Sequence, residues 1–173
     1  MDDLERLVAT DRIRQLASRY AVAMDARDLD ELVSLFVDDV QVGRDATGRE
    51  ALRVNFDQQL REIGISILFV GNHVIDFDDD SHARGIVYCK AEIQDGDRWV
   101  HQAIQYRDRY ERRNDEWLFV RRVHLLFYGI AYEPGADLNP LALAPANWPE
   151  NHAGRGTIPE AWDTWKRFWQ EPD

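Results

Sequence analysis

The sequence predicts an α+β domain in which helices pack on one face of a curved, mostly antiparallel sheet. Three observations predict it. Hydrophobic residues recur at three- and four-residue steps through roughly the first sixty positions, and they alternate from residue 66 onward. Short polar turns then separate the alternating runs, and such turns join antiparallel neighbours because parallel strands need a long crossover. Helices first and a meander afterwards places the helices together on one side of the sheet.

The first helix is expected from Leu4 to Met24, with Leu4, Leu7, Val8, Ile13, Leu16, Tyr20 and Met24 as its apolar stripe. The segment DARD (25–28) breaks it. Asp28 is placed to cap a second helix, LDELVSLF, with Glu31 in capping-box position. A short strand is expected at Val40–Val42, and Thr47 is placed to cap a third helix over Arg49–Glu62. Four strands follow at 66–77, 84–94, 98–112 and 117–129, separated by an Asp-rich turn at 78–80 and by QDGD and RRND. These elements make a domain over residues 1–132.

Residues 133–173 read differently. Five of the six prolines fall between Glu133 and Pro159, where periodicity is lost, so this stretch is expected to be a lid, an arm or a tail. It ends in a helix, IPEAWDTWKRFWQ, that puts Trp162, Trp165 and Trp169 on one side. Three exposed tryptophans would be costly, so the helix is expected to dock on its own domain or on a neighbouring subunit.

Composition narrows the function. At 173 residues, 45% hydrophobic and 31% charged, the chain can bury roughly two-thirds of its unfolded surface. A formal charge of −11 repels phosphate backbones and anionic lipid, which argues against nucleic-acid and membrane partners. The acidic start MDDLERLVATDR resembles no leader, and no run nears the roughly 20 apolar residues of a membrane span, so a cytoplasmic protein is expected. Cys89 is the single cysteine and reads as a small apolar residue.

The stretch FVGNHVIDF concentrates the functional question, because His73 stands at even spacing from Phe69, Ile75 and Phe77. An imidazole on an apolar strand face needs a partner if it is buried. His101 and His124 raise the same issue on later strands, while His82 and His152 sit in polar or proline-rich segments. Three converging imidazoles could hold zinc, but no His-x-His or HExxH spacing is present and no metal or other cofactor is expected. General acid–base chemistry is the other option. Asp25 at the end of the first helix is the candidate carboxylate, and Tyr20, one turn earlier, is a phenol that can orient a substrate oxygen.

The layout, with IRQLASRYAVAMDARDLDELVSLFVDDV near the start and YRDRYERRNDEWLFVRRVHLLFY in the last strands, resembles the SnoaL-like branch of the NTF2-like superfamily over roughly residues 3–130. The resemblance implies a cone of three helices closing over a bent sheet around a deep pocket. It also implies the cofactor-free lyase chemistry of scytalone dehydratase, hexachlorocyclohexane dehydrochlorinase and the bile-acid dehydratase, each built on an Asp–His pair. Asp25 and His73 match that pair by position, Tyr20 matches the bile-acid enzyme's tyrosine, and His101 lies two residues from a second histidine of scytalone dehydratase. A strand aspartate of the bile-acid enzyme falls at Ala91, so that part is not carried over. Ketosteroid-isomerase acids find no place. The Asp-Arg-Asp set of limonene-epoxide hydrolases finds ingredients in Arg107, Asp108 and Arg109 but no positioned partner.

The expectation is therefore a dehydratase-type lyase in which Asp25 accepts a hydrogen bond from His73, the base, while Tyr20 and His101 handle the departing oxygen. Phe69, Tyr88, His124 and Tyr128 are expected to contact a hydrophobic cyclic or aromatic substrate. Isomerisation, cyclisation, epoxide hydrolysis or plain ligand binding remain the alternatives. A homodimer or homotrimer is expected from the family resemblance and the terminal tryptophans.

Overall fold

A computed structural model of the protein describes residues 1–142 and 158–170. Most of the proline-rich arm, including His152, lies outside the described residues. Helices α1 (Asp3–Ala26), α2 (Leu29–Ser34) and α3 (Arg49–Arg61) precede the sheet, with the short strands β1 (Gln41–Val42) and β2 (Ala46–Thr47) between α2 and α3. Strands β3 (Ser66–Phe77), β4 (His82–Asp95), β5 (Arg98–Arg113) and β6 (Glu116–Tyr132) form an antiparallel meander in chain order. A 3-10 turn at Pro140–Ala142 and helix α4 (Asp163–Trp169) follow.

Helix α1 starts on a capping box: Asp2 accepts from the Glu5 N–H and Glu5 accepts from the Asp2 N–H, both at 2.8 Å. Its buried stripe is Ala9, Ile13, Leu16, Ala17, Tyr20, Ala21 and Ala23. Leu4, Leu7 and Val8, expected in the stripe, are exposed. The step from Val8 to Ile13 is five residues, which at 3.6 residues per turn carries the first three to the opposite side.

The helix ends at Arg27, which holds a left-handed φ of 56° that normally favours glycine. Its side chain explains the exception. Buried almost completely, it donates to Met24 O at 2.5 Å, to Ser66 Oγ at 2.8 Å and to the Gly64 carbonyl. Asp28 caps α2 through the Glu31 N–H as expected, whereas α3 takes Gly48, not Thr47, as its N-cap, without a side-chain bond.

One irregularity decides what faces the interior. Val70 pairs with Cys89 and His73 with Val87, so β3 carries one more residue than β4 across this step. Such a bulge shifts the alternation by one. Ser66, Leu68 and Val70 point inward before it, and His73, Ile75 and Phe77 after it. Phe69 therefore does not share a face with His73, contrary to the even spacing, and it is 57% exposed.

The helices cover the inner face. Tyr20 is the hub, with ring centroids 6.0–6.3 Å from Phe36, Phe56, Tyr106 and Phe119 in edge-on contacts. Each such buried ring is worth roughly 1.5–3 kcal/mol of transfer free energy. The chain after α2 also pairs with β6: the Val37 N–H donates to Phe119 O at 3.0 Å and the Phe119 N–H to Leu35 O at 2.9 Å. On α4, Trp165 packs with Ile65 and Trp99, Phe168 joins the main core, and Trp169 stays 39% exposed. The Arg27 guanidinium lies 4.9 Å over the Trp165 ring. Among the described residues no helix is long and apolar enough to cross a membrane.

Candidate active site

Between the helices and the inner face lies a cavity of about 1070 Å³. Tyr20, Phe36, Phe56, Leu68, Ile104 and Tyr106 supply its apolar and aromatic wall, and Ser66, Gln102, Arg122 and His124 its polar groups. A space this size with few polar groups suits a small hydrophobic ligand.

Asp25 stands against this wall. Its carboxylate accepts from Ser66 Oγ at 3.2 Å and from the Leu68 N–H at 3.0 Å, and both donors belong to cavity-lining residues. Burial pushes its pKa up to about 6, outweighing the two hydrogen bonds and nearby Arg27, which all favour the charged form. The inward β3 side chain beside this carboxylate is Leu68.

His73 lies further along β3, beyond the bulge, and has another partner. Its Nε2 is 3.1 Å from the Tyr110 hydroxyl, and that hydroxyl donates to Asp108 Oδ2 at 2.8 Å. The single phenolic proton is committed to Asp108, so the neutral imidazole donates from Nε2 to the phenol oxygen. Burial lowers the His73 pKa to about 4, so the ring is neutral at pH 7. The expected hydrogen bond from His73 to Asp25 is thus not formed: the bulge seats the imidazole on Tyr110, and the backbone of Leu68 takes the carboxylate.

Asp108 holds Arg122 in a two-pronged ion pair, Nε to Oδ1 at 2.9 Å and Nη2 to Oδ2 at 2.6 Å. The side chains are 0% and 4% exposed. The guanidinium carbon sits 4.3–4.4 Å from the ring centroids of Tyr20, Tyr106 and Phe119. Nη1 is buried and has no hydrogen-bond partner. Burial also pushes the Tyr20 phenol up to about 12, so it keeps its proton across the neutral range.

The candidate residues therefore divide. Tyr20 and His124 line the interior cavity, and His124 makes an edge contact with Tyr106 at 5.7 Å. Phe69, Tyr88, His101 and Tyr128 line a separate groove on the outer face of the sheet. His101 pairs across strands with Glu92, 3.9 Å away, and packs on Tyr132. Strand parity accounts for this: Gln102, not His101, shares the inward side with Ile104 and Tyr106. Arg107 and Arg109 are exposed, and the guanidinium inside is Arg122. Asp108, Tyr110, Arg122, Ser66 and Arg27 complete the interior network and were not among the expected site residues. Their available signal was parity, since Ile104, Tyr106, Asp108 and Tyr110 alternate in one strand. Cys89 is buried, and that burial pushes its thiol up to about 11. Among the described residues no three His, Cys, Asp or Glu side chains gather as a metal-ligand set.

The family model of the SnoaL-like domain matches residues 5–123, which span both this cavity and the fold around it. The chain belongs to the SnoaL-like family. No protein of curated function matches it in sequence. Among solved structures, this SnoaL-like chain is similar to the hexachlorocyclohexane dehydrochlorinase LinA, with a TM-score of 0.70 and 25% identity over 84% of this chain and 100% of that one. It is also similar in fold to LinA-type3 of Novosphingobium barchaimii LL02, with a TM-score of 0.70, 24% identity and the same coverage. A protein of Novosphingobium aromaticivorans described as a proposed scytalone dehydratase shares the fold with a TM-score of 0.67, at 24% identity over 84% and 100% of the two chains.

Proposed function

We propose that this SnoaL-like protein is a cofactor-free lyase that performs a dehydratase-type β-elimination on a hydrophobic cyclic or aromatic small molecule, with Asp25 moving the proton. The observation that carries the reading is the Asp25 carboxylate, desolvated at the cavity wall and held by Ser66 and Leu68. A carboxyl near pH 6 is ionised at neutrality yet more basic than an ordinary one, which matches it to proton transfer. Asp25 takes the proton from an acidic C–H, and the electron pair forms the new double bond as the β-hydroxyl leaves. The protonated Asp25 then returns that proton to the departing oxygen as water forms, so the carboxylate is regenerated. Tyr20, which stays protonated, orients a substrate oxygen. His73 acts at a distance, through Tyr110.

The reading is tested by offering cyclic and aromatic β-hydroxy compounds to wild type and Asp25→Asn and following the ultraviolet absorbance of the conjugated product. Loss of about 10²–10⁴-fold in turnover on substitution is expected. Equal turnover by both proteins would falsify it.

A second reading is a non-catalytic small-molecule binder. Leu68 favours it, because the β3 position beside Asp25 lacks an imidazole. Saturable binding in the cavity with no turnover of any bound compound would select it. The proposal also includes self-association as a homodimer or homotrimer, supported by the outer-face exposure of Phe69, Phe127, Tyr128 and Ile130 at 48–57%.

A further inference from the structure

The unsatisfied donor in the cavity wall has a charge environment that selects among ligands. Arg122 contributes one positive charge and Asp108 one negative, and the pair sits almost wholly out of water. A buried guanidinium N–H without an acceptor costs about 1–3 kcal/mol, so Nη1 is the place where a ligand oxygen gains most. Which oxygen it takes depends on the sum of charges. An uncharged carbonyl leaves the Arg122–Asp108 pair neutral. A carboxylate leaves a net negative charge in a dry wall that already contains Asp25, and an uncompensated buried charge is strongly disfavoured.

The surroundings fix Asp108 in this role. Tyr110 donates to it, and His73 holds the Tyr110 oxygen from the other side. Gly85 makes room for both: a Cβ there would lie 2.7 Å from the Tyr110 hydroxyl oxygen and 3.1 Å from His73 Nε2. Three elements thus converge to seat one carboxylate against one guanidinium.

We propose that Arg122 Nη1 binds the oxygen of an uncharged carbonyl compound, and that Asp108 is the specificity-determining residue that rejects carboxylates. This rests on the lyase reading above and names the substrate class of the same cavity. The carbonyl oxygen would also receive the electron density released when an adjacent C–H is deprotonated, so the two assignments fit one substrate.

The test uses 2-acetylnaphthalene and 2-naphthoate, which share an aromatic body and differ in the charge on the oxygen group. Binding is measured by isothermal calorimetry at pH 8 with wild type, Asp108→Asn and Arg122→Gln. Wild type is expected to prefer the ketone by about tenfold or more. Asp108→Asn should move that ratio by at least about tenfold toward naphthoate, and Arg122→Gln should weaken ketone binding. Wild-type preference for naphthoate, or equal binding of the two, overturns the proposal without any variant being needed. An unchanged ratio in folded Asp108→Asn also overturns it. Binding of neither probe removes the Arg122 anchor and the proposal with it. Loss of the lyase reading registers separately, as turnover that survives Asp25→Asn.

Discussion

The Leu68 backbone N–H donates to the Asp25 carboxylate at 3.0 Å, so the strand position beside the candidate catalytic acid carries an isobutyl side chain. The carboxylate is thereby desolvated without an imidazole to share its proton, which is why burial governs its pKa.

Asp25→Asn should stabilise the protein while it abolishes turnover. A carboxyl whose folded pKa of about 6 exceeds its ordinary 3.8 binds protons more tightly folded than unfolded. Its destabilising effect is absent below 3.8, grows between 3.8 and 6, and is complete above 6. Removing it is worth up to roughly 2–3 kcal/mol at pH 7, less whatever the amide loses as an acceptor. Thermal melts at pH 4 and pH 8 check this: the Tm gain should appear only at pH 8.

Leu68→His should place an imidazole near Asp25. A partner that can carry positive charge lowers a neighbouring carboxyl pKa. The midpoint assigned to Asp25 in a pH–rate profile should fall below 6, and turnover should rise. A midpoint unmoved in a folded variant would count against the placement of Leu68.

His73 should titrate far below an ordinary histidine. Its folded pKa of about 4 against 6.5 means that the neutral ring is favoured in the fold. The contribution is full above 6.5 and is lost as pH falls through 4. Proton NMR of the ring should give the low value, and His73→Asn should flatten the acid limb of the stability curve.

Gly85→Ala should destabilise by about 1–3 kcal/mol, the usual range for overpacking, because its Cβ would meet the Tyr110 hydroxyl. Urea denaturation measures the loss, and the His73 resonance should move with it as the Tyr110 contact is displaced.

Element types and most boundaries were legible because the periods differ: three- and four-residue steps for α1 to α3, alternation for β3 to β6. Inward and outward assignment was less legible. On β3 the bulge after Val70 separates Phe69 from His73, and nothing in the alternation signals an extra residue. On α1 the five-residue step after Val8 was visible but was read through. On β5, His101 looked like a site residue because it is an imidazole, whereas Asp108 looked like surface because it is charged. Burial of Asp108 depends on Arg122, fourteen positions later and across a strand pair. A charge that is buried because its partner is buried cannot be recognised from either residue alone.

The central claim is that Asp25 alone moves the proton. The most direct measurement is kcat/KM from pH 4 to pH 8 for wild type and Asp25→Asn on any compound that is turned over. The account predicts a wild-type profile that rises with pH through a midpoint near 6 and a variant profile that is low throughout. A wild-type profile flat across pH 5–7, or a variant that matches it, would contradict the claim.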